Sequence, residues 1–157
     1  SVLDAEAFCS EEGKRLPTEA EWMLAAWGES AEKRAFPWGA AQDASKANVQ
    51  GNPQFKTPHL VGVDSMEAGA SPYGVHHMAG NVREWVADRR PPSILALQDY
   101  SKLLGTKFVG NEDWRLIKGG SYQQPLANAN IDEWDPAPAK LAGDDLGFRC
   151  AKTLALK

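Results

Sequence analysis

The stretch Gly74-Val75-His76-His77-Met78-Ala79-Gly80-Asn81-Val82-Arg83-Glu84-Trp85 constrains this chain more than any other. Two glycine turns bracket an acceptor-rich segment. A β-like run, Arg83-Glu84-Trp85-Val86-Ala87, follows at once, with Trp85 and Ala87 alternating with other residues. The pattern predicts a loop feeding a buried strand. Gly80-Asn81 tolerates positive φ, so backbone carbonyls there can turn toward a common point while the Asn81 and Glu84 side chains add oxygens. A hard cation suits such a point. A plain turn, in which Asn81 and Glu84 satisfy local backbone donors, suits the same residues. The stretch by itself leaves both readings open.

Upstream, Ser1 is placed to cap a helix with Asp4 at its third helical position, and Leu3, Ala7 and Phe8 recur at helical spacing before Gly13. Thr18 and Glu21 form a capping-box pattern that opens a second helix through Trp27, closed by Gly28, with Trp22, Leu24, Ala25 and Ala26 as its core residues. Arg15, with Glu19 and Glu21 nearby, reads as the partner of a structural ion pair. From Glu29 to Met66 loops dominate, punctuated by Pro37-Trp38-Gly39, Gly51-Asn52-Pro53 and Thr57-Pro58. The segment 89–111 carries an apolar helical stretch, Ile94 to Leu104, and reads as an insertion. Trp114-Arg115-Leu116-Ile117-Lys118 is a strand running into Gly119-Gly120-Ser121-Tyr122, and a last strand spans Gly147 to Ala151.

A chain of 157 residues fits one domain. Its 17 basic residues are outnumbered by 21 acidic ones and form no cluster longer than Arg89-Arg90, which argues against nucleic acid as a partner. No apolar run approaches membrane length.

Together, Gly-x-x-x-Met-Ala-Gly-Asn-Val-x-Glu-Trp, the upstream Gly13-Lys14-Arg15-Leu16-Pro17-Thr18-Glu19-Ala20-Glu21-Trp22, Pro37-Trp38-Gly39, Lys118-Gly119-Gly120-Ser121-Tyr122 and Gly147-Phe148-Arg149-Cys150 resemble the formylglycine-generating-enzyme (sulfatase-modifying factor) family. These blocks lie in the family's order and cover nearly the whole chain. The resemblance implies an α+β, C-type-lectin-like fold: a small twisted antiparallel sheet, two short helices and much loop. It implies a single domain over 1–157 that lacks the family's N-terminal portion, so that a missing N-terminal fragment or a partner chain is expected to cover an exposed sheet edge and apolar patch. It also implies a Cys9–Cys150 disulfide, the alternative being two buried thiols. Closing that loop is worth about 4 to 5 kcal/mol on a chain-entropy argument, and it implies a periplasmic or otherwise extracytoplasmic setting.

The family's two calcium sites map here onto Asn48 with the Val49 carbonyl, and onto the Gly80 and Val82 carbonyls with Glu84 and His77. The first lacks the acidic residue expected in the following dozen positions, none occurring before Asp64. The second has imidazole where Asn or Asp is usual, a poor ligand for an oxygen-seeking ion, so either calcium binds weakly or Glu84 bonds within the chain. His76-His77, with His59, also suggests a transition metal. Adjacent histidines diverge unless the backbone turns sharply, and no His-x-x-x-His or Cys-His spacing is present, so no such site is expected.

In the active members, two cysteines after the Gly-Gly-Ser turn hold copper as thiolates. Gln124 and Ala129 stand at those positions, so no copper-thiolate site and no formylglycine chemistry is expected. The same loop continues as Asn128-Ala129-Asn130-Ile131-Asp132-Glu133-Trp134-Asp135. A carboxylate beside tryptophan in a partly closed cleft has its charged form disfavoured, which makes Glu133, with Asp132 and Asp135, a candidate general base. Trp134, Tyr122, Gln124 and Asn130 are the candidate substrate contacts, and a solvated acidic loop is the competing reading. Three functions follow. One is oxidative tailoring of a small aromatic or peptide substrate, a siderophore (pyoverdine) precursor chromophore, with an oxidant that no motif identifies. The second is a non-catalytic lectin-like binding module. The third is the substrate-holding domain of a sulfoxide-synthase-like enzyme.

Overall fold

A computed structural model describes residues 1–29 and 34–154. Three helices, α1 (Val2–Glu11), α2 (Glu19–Trp27) and α3 (Ile94–Leu104), accompany four strands, β1 (Arg83–Arg89), β2 (Trp114–Lys118), β3 (Asp135–Pro138) and β4 (Leu146–Phe148). The fold is α+β. Its sheet runs β3-β2-β1-β4. β1 and β3 pair antiparallel to β2, but β4 runs parallel to β1, so the sheet is mixed rather than antiparallel as expected. Of the irregular stretch expected from Glu29 to Met66, residues 30–33 lie outside the described set, as do residues 155–157 at the other end. No helix among the described residues is long and apolar enough to cross a membrane.

The sheet is covered on both faces, and this decides which residues are buried. Val2, Ala5 and Cys9 of α1 pack with Trp85, Ile117 and Ala137 on one face. Trp22 and Ala26 of α2 pack with Val86, Leu116 and Ile131 on the other. Neighbouring strand residues therefore face different layers, and Glu84, Trp85 and Val86 are all buried in place of the alternation expected for β1. Each large side chain so enclosed contributes about 1.5 to 3 kcal/mol by leaving water.

Both helix caps form as predicted. The Ser1 hydroxyl donates to Asp4 at 2.7 Å, and the Glu21 N–H donates to the Thr18 hydroxyl at 3.2 Å while Thr18 N–H donates back to Glu21 at 2.9 Å. The apolar face of α1 differs from the prediction. Leu3, Ala7 and Phe8 are exposed, because the Cys9–Cys150 disulfide and the Val2 N–H, which donates to Ala139 O at 3.2 Å, turn the Val2/Ala5/Cys9 face inward. Leu24 is likewise exposed, not core. Arg15 forms the predicted pair with Glu21 through two contacts of 2.7 Å, whereas Glu19 pairs with Arg90 at 3.0 Å.

The insertion is helical, as its pattern predicts, yet α3 has no fully buried residue. It is tied to the sheet by Tyr100 and Phe108, which meet the Trp114 ring edge-on at 5.7 and 5.5 Å.

Candidate functional site

Two glycine turns meet at the end of β2. Gly80 N–H donates to Gly119 O at 2.7 Å, Asn81 N–H to Asn48 O at 2.7 Å, and Tyr122 N–H to Asn81 O at 3.0 Å. These bonds join the loop before β1 to the loop after β2 by main chain. Gly120 has φ +63°, and a Cβ added there would stand 2.8 Å from Asn128 O, so a side chain is excluded by both backbone and space. That close approach brings Gln124, Asn128 and Ala129 onto the strand end.

An ion pair fixes the far side. Arg83 donates to Asp145 at 2.8 and 3.2 Å, and Ser121 Oγ donates to the same carboxylate at 2.7 Å. Burial pushes the Asp145 carboxyl up, but the bonds from Arg83 and Ser121 outweigh it and hold the group below the usual carboxylate range. Lys118 is buried beneath. Its ammonium donates to Ile131 O at 2.8 Å and lies 3.8 Å from Glu19, and desolvation holds it below the usual lysine range. Neither group was singled out in the sequence. Asp145 sits in an unremarkable Asp144-Asp145 pair, and the signal for Lys118 is its place at the head of the Lys118-Gly119-Gly120-Ser121-Tyr122 block, which does not reveal that its side chain is buried.

The resulting cleft is small, about 60 Å³, and is lined by Arg83, Gly119, Gly120, Gln124, Glu133 and Trp134 among others. Beyond Trp134 and Asp135 it gives onto a wider basin of about 1080 Å³ whose far wall is Leu95, Tyr100 and Leu103. Of the candidates, the fold brings Gln124, Glu133, Trp134 and Asp135 to this cleft. Tyr122, Asn130 and Asp132 lie outside its lining. Tyr122 is held by Gln123 Nε2, which donates to its hydroxyl oxygen at 2.8 Å, and Asn130 Oδ1 accepts from Asp132 N–H at 3.0 Å.

Two features depart from expectation. Asp132, Glu133, Trp134 and Asp135 are all exposed, so the partly closed surroundings foreseen for Glu133 are not formed by this loop. Trp134 has a cation on it already, with the Arg90 guanidinium 4.5 Å from the ring centroid. A buried acceptor nonetheless points to a ligand here: Gln124 Oε1 has no hydrogen-bond partner.

The family's thiolate-bound copper does not fit these residues. Both cysteines are joined in the Cys9–Cys150 disulfide, with Cα atoms 5.6 Å apart. The second calcium position fits no better. Glu84 accepts from Trp22 Nε1 at 2.8 Å and from Arg149 Nε and Nη2 at 2.6 and 2.7 Å, so a guanidinium already supplies the positive charge. Val82 lines a cavity with Glu84, Gly80 is held in the turn by its N–H bond to Gly119 O, and His77 turns Nε2 to Gly62 O at 3.0 Å. At the first position Asn48 Nδ2 donates to His59 O and Asn81 Oδ1, both at 2.9 Å, while Asn48 Oδ1 has no partner. The Val49 carbonyl accepts from Asn52 N–H at 3.2 Å, and Asp64 is exposed. Among the described residues no carboxylate completes that set.

Comparison with known proteins agrees with this architecture. The chain is 39% identical over 143 residues to a hercynine oxygenase of Mycolicibacterium smegmatis, covering 86% of the chain and 32% of that protein. It is 31% identical over 157 residues to the inactive Cα-formylglycine-generating enzyme 2 of Bos taurus, covering 94% of the chain and 47% of that protein. Among solved structures, PvdO from Pseudomonas aeruginosa superposes with a TM-score of 0.67 at 27% identity, over 96% of the chain and 58% of PvdO. The chain thus spans about a third of the hercynine oxygenase it matches. The family described as the sulfatase-modifying factor enzyme 1-like domain matches residues 1–154, and the chain belongs to it.

Proposed function

We propose that this domain carries the substrate cleft of an oxidative tailoring enzyme that works without the copper thiolates, acting on an aromatic siderophore precursor of the pyoverdine type. The observation that supports it is the replacement at the cleft: Gln124 and Ala129 stand where thiols would, and Trp134 is exposed beside Glu133 and Asp135 at its mouth. An aromatic ring stacks on Trp134, Gln124 Oε1 accepts one of its N–H or O–H groups, and Glu133 takes a phenolic or amine proton as the ring gives two electrons to dioxygen, which leaves as hydrogen peroxide with that proton and the second one the ring releases. The relative named hercynine oxygenase lends support as an oxygenase of similar sequence, and PvdO as a solved structure of the same fold. The Cys9–Cys150 bridge supports an extracytoplasmic setting, which fractionation of producing cells would check.

The test is turnover of a dihydropyoverdine-type precursor under air, followed by absorbance and mass, for the intact protein and Glu133→Gln. Oxidation that collapses in the variant supports the reading. No oxidation by either folded protein removes this substrate and favours a second reading, a ligand-binding module, for which the relative named as an inactive enzyme speaks. In that case the precursor binds saturably without turnover. The hercynine oxygenase likeness, over a third of that protein, speaks for a third reading, the substrate-holding domain of a larger sulfoxide-synthase-like enzyme.

A further inference from the structure

Adjacent histidines diverge on an extended backbone, but at His76-His77 the backbone is not extended. His77 has φ 57°, in the left-handed region, and the two ring centroids lie 6.3 Å apart. Each ring commits one nitrogen to a main-chain carbonyl of the loop 62–65: His76 Nδ1 is 2.9 Å from Ser65 O, and His77 Nε2 is 3.0 Å from Gly62 O. A carbonyl can only accept, so these nitrogens carry the protons. The other nitrogen of each ring, Nε2 of His76 and Nδ1 of His77, therefore presents a lone pair. The Ser65 hydroxyl does not alter this. It donates its proton to Gly62 O at 2.6 Å, so toward His77 Nε2, 3.4 Å away, it too is an acceptor.

His77 is only 8% exposed, and its Nδ1 has no hydrogen-bond partner. A buried lone pair without a donor is costly unless something fills it. An imidazole whose second nitrogen donates to a carbonyl is also the arrangement that stands behind metal-bound histidines, fixing tautomer and ring orientation. Both rings line a cavity of about 310 Å³ together with Glu84, Phe148 and Arg149. The two-point Glu84–Arg149 pair balances its own charge, so the cavity does not carry an uncompensated cation.

The donor set decides the ligand class. Calcium requires oxygens, and the one carboxylate here is already engaged. Two neutral imidazole nitrogens instead suit Zn²⁺, Co²⁺, Ni²⁺ or Cu²⁺. Nitrogens about 2.1 Å from one ion place the ring centroids roughly 5 to 6 Å apart, close to the 6.3 Å between these two rings. We propose that His76 and His77 form a two-imidazole site for a borderline divalent transition metal on the cavity they share, beside the Glu84–Arg149 pair rather than in its place. No third His, Cys, Asp or Glu completes a cluster among the described residues, so water or an external ligand fills the remaining positions. The site is separate from the Gln124 cleft and does not depend on the tailoring reaction.

Cobalt titration of the intact protein is the direct test, read as visible d–d absorption and reversed by Zn²⁺. The expected result is a Co²⁺ band that Zn²⁺ displaces and excess Ca²⁺ does not. Affinity should fall at least about tenfold in His76→Gln and in His77→Gln, and be unchanged in His59→Gln. Because His77 is buried, near-ultraviolet circular dichroism accompanies its variant, and the half-buried His76 supplies the test independent of folding. No band in the folded intact protein overturns the proposal. So does a band of unchanged affinity in His76→Gln, or displacement by Ca²⁺ as readily as by Zn²⁺.

Discussion

Glu84 and Glu133 show what this fold does with the same side chain in two regions. Glu84, 4% exposed, sits between the sheet and α2 with its carboxylate filled by Trp22 and Arg149. Glu133 stands exposed on the loop between β2 and β3, beside Trp134 at the mouth of the cleft. The first glutamate is specified by two distant parts of the chain at once, and the second carboxylate has no hydrogen bond or ion pair among the described residues. Residues that identify the family therefore build the frame, and residues free to determine chemistry lie on a rim that the frame scarcely constrains.

The largest effect should come from the frame. Glu84→Gln leaves the Arg149 guanidinium with a neutral partner at a buried position. Breaking such a pair costs about 3 to 5 kcal/mol, and the lower end is expected because the Arg149 side chain keeps 27% exposure. Urea unfolding measures it, and a loss below about 0.5 kcal/mol, the range of ordinary surface changes, would erase the distinction between the two glutamates.

An intermediate effect belongs to Glu21, part frame and part surface. Its carboxyl is lowered from 4.5 to about 2, first by the hydrogen bond from Arg15 and then by the Thr18 backbone. A depressed folded value means that the contribution is present above pH 4.5 and lost as pH falls toward 2. Both side chains are over 40% exposed, so screening limits the contribution to about 1 kcal/mol at most. Glu21→Gln should flatten the stability-against-pH curve in that acid window and change little at neutral pH. A variant curve parallel to that of the parent would show that the pair contributes nothing.

The smallest effect is expected on the rim. Glu133→Gln and Trp134→Ala should each leave thermal or urea stability within about 0.5 kcal/mol, as for surface positions without special contacts. A loss above about 1 kcal/mol for Trp134→Ala would mean that its stacking with Arg90, and through it the Glu19 pair, belongs to the frame.

What the sequence discloses follows the same division. The capping boxes at Ser1 and Thr18, the strand Trp114–Lys118 and the Cys9–Cys150 bridge are read from local chemistry or from family blocks, and the structure contains each of them. The inward face of α1 was not legible, because Leu3 and Phe8 are as apolar as Val2 and Ala5. The decision is made by the disulfide and the Val2–Ala139 bond, both remote in sequence. The parallel pairing of β4 with β1 has no local signal either. At the cleft, Gln124, Glu133, Trp134 and Asp135 could be found by what they replace. Lys118 and Asp145 could not, since their importance arises from Ile131, Arg83 and Ser121 brought to them by the fold.

The backbone exchange between Arg15 and Ala151, 2.9 Å and 2.7 Å in its two directions, fastens the segment after α1 to the segment after β4, close to the Cys9–Cys150 bridge. Two independent clamps, one covalent and one of main chain, therefore close the same long loop, so cutting either one leaves the other holding the segment after α1 against the segment after β4.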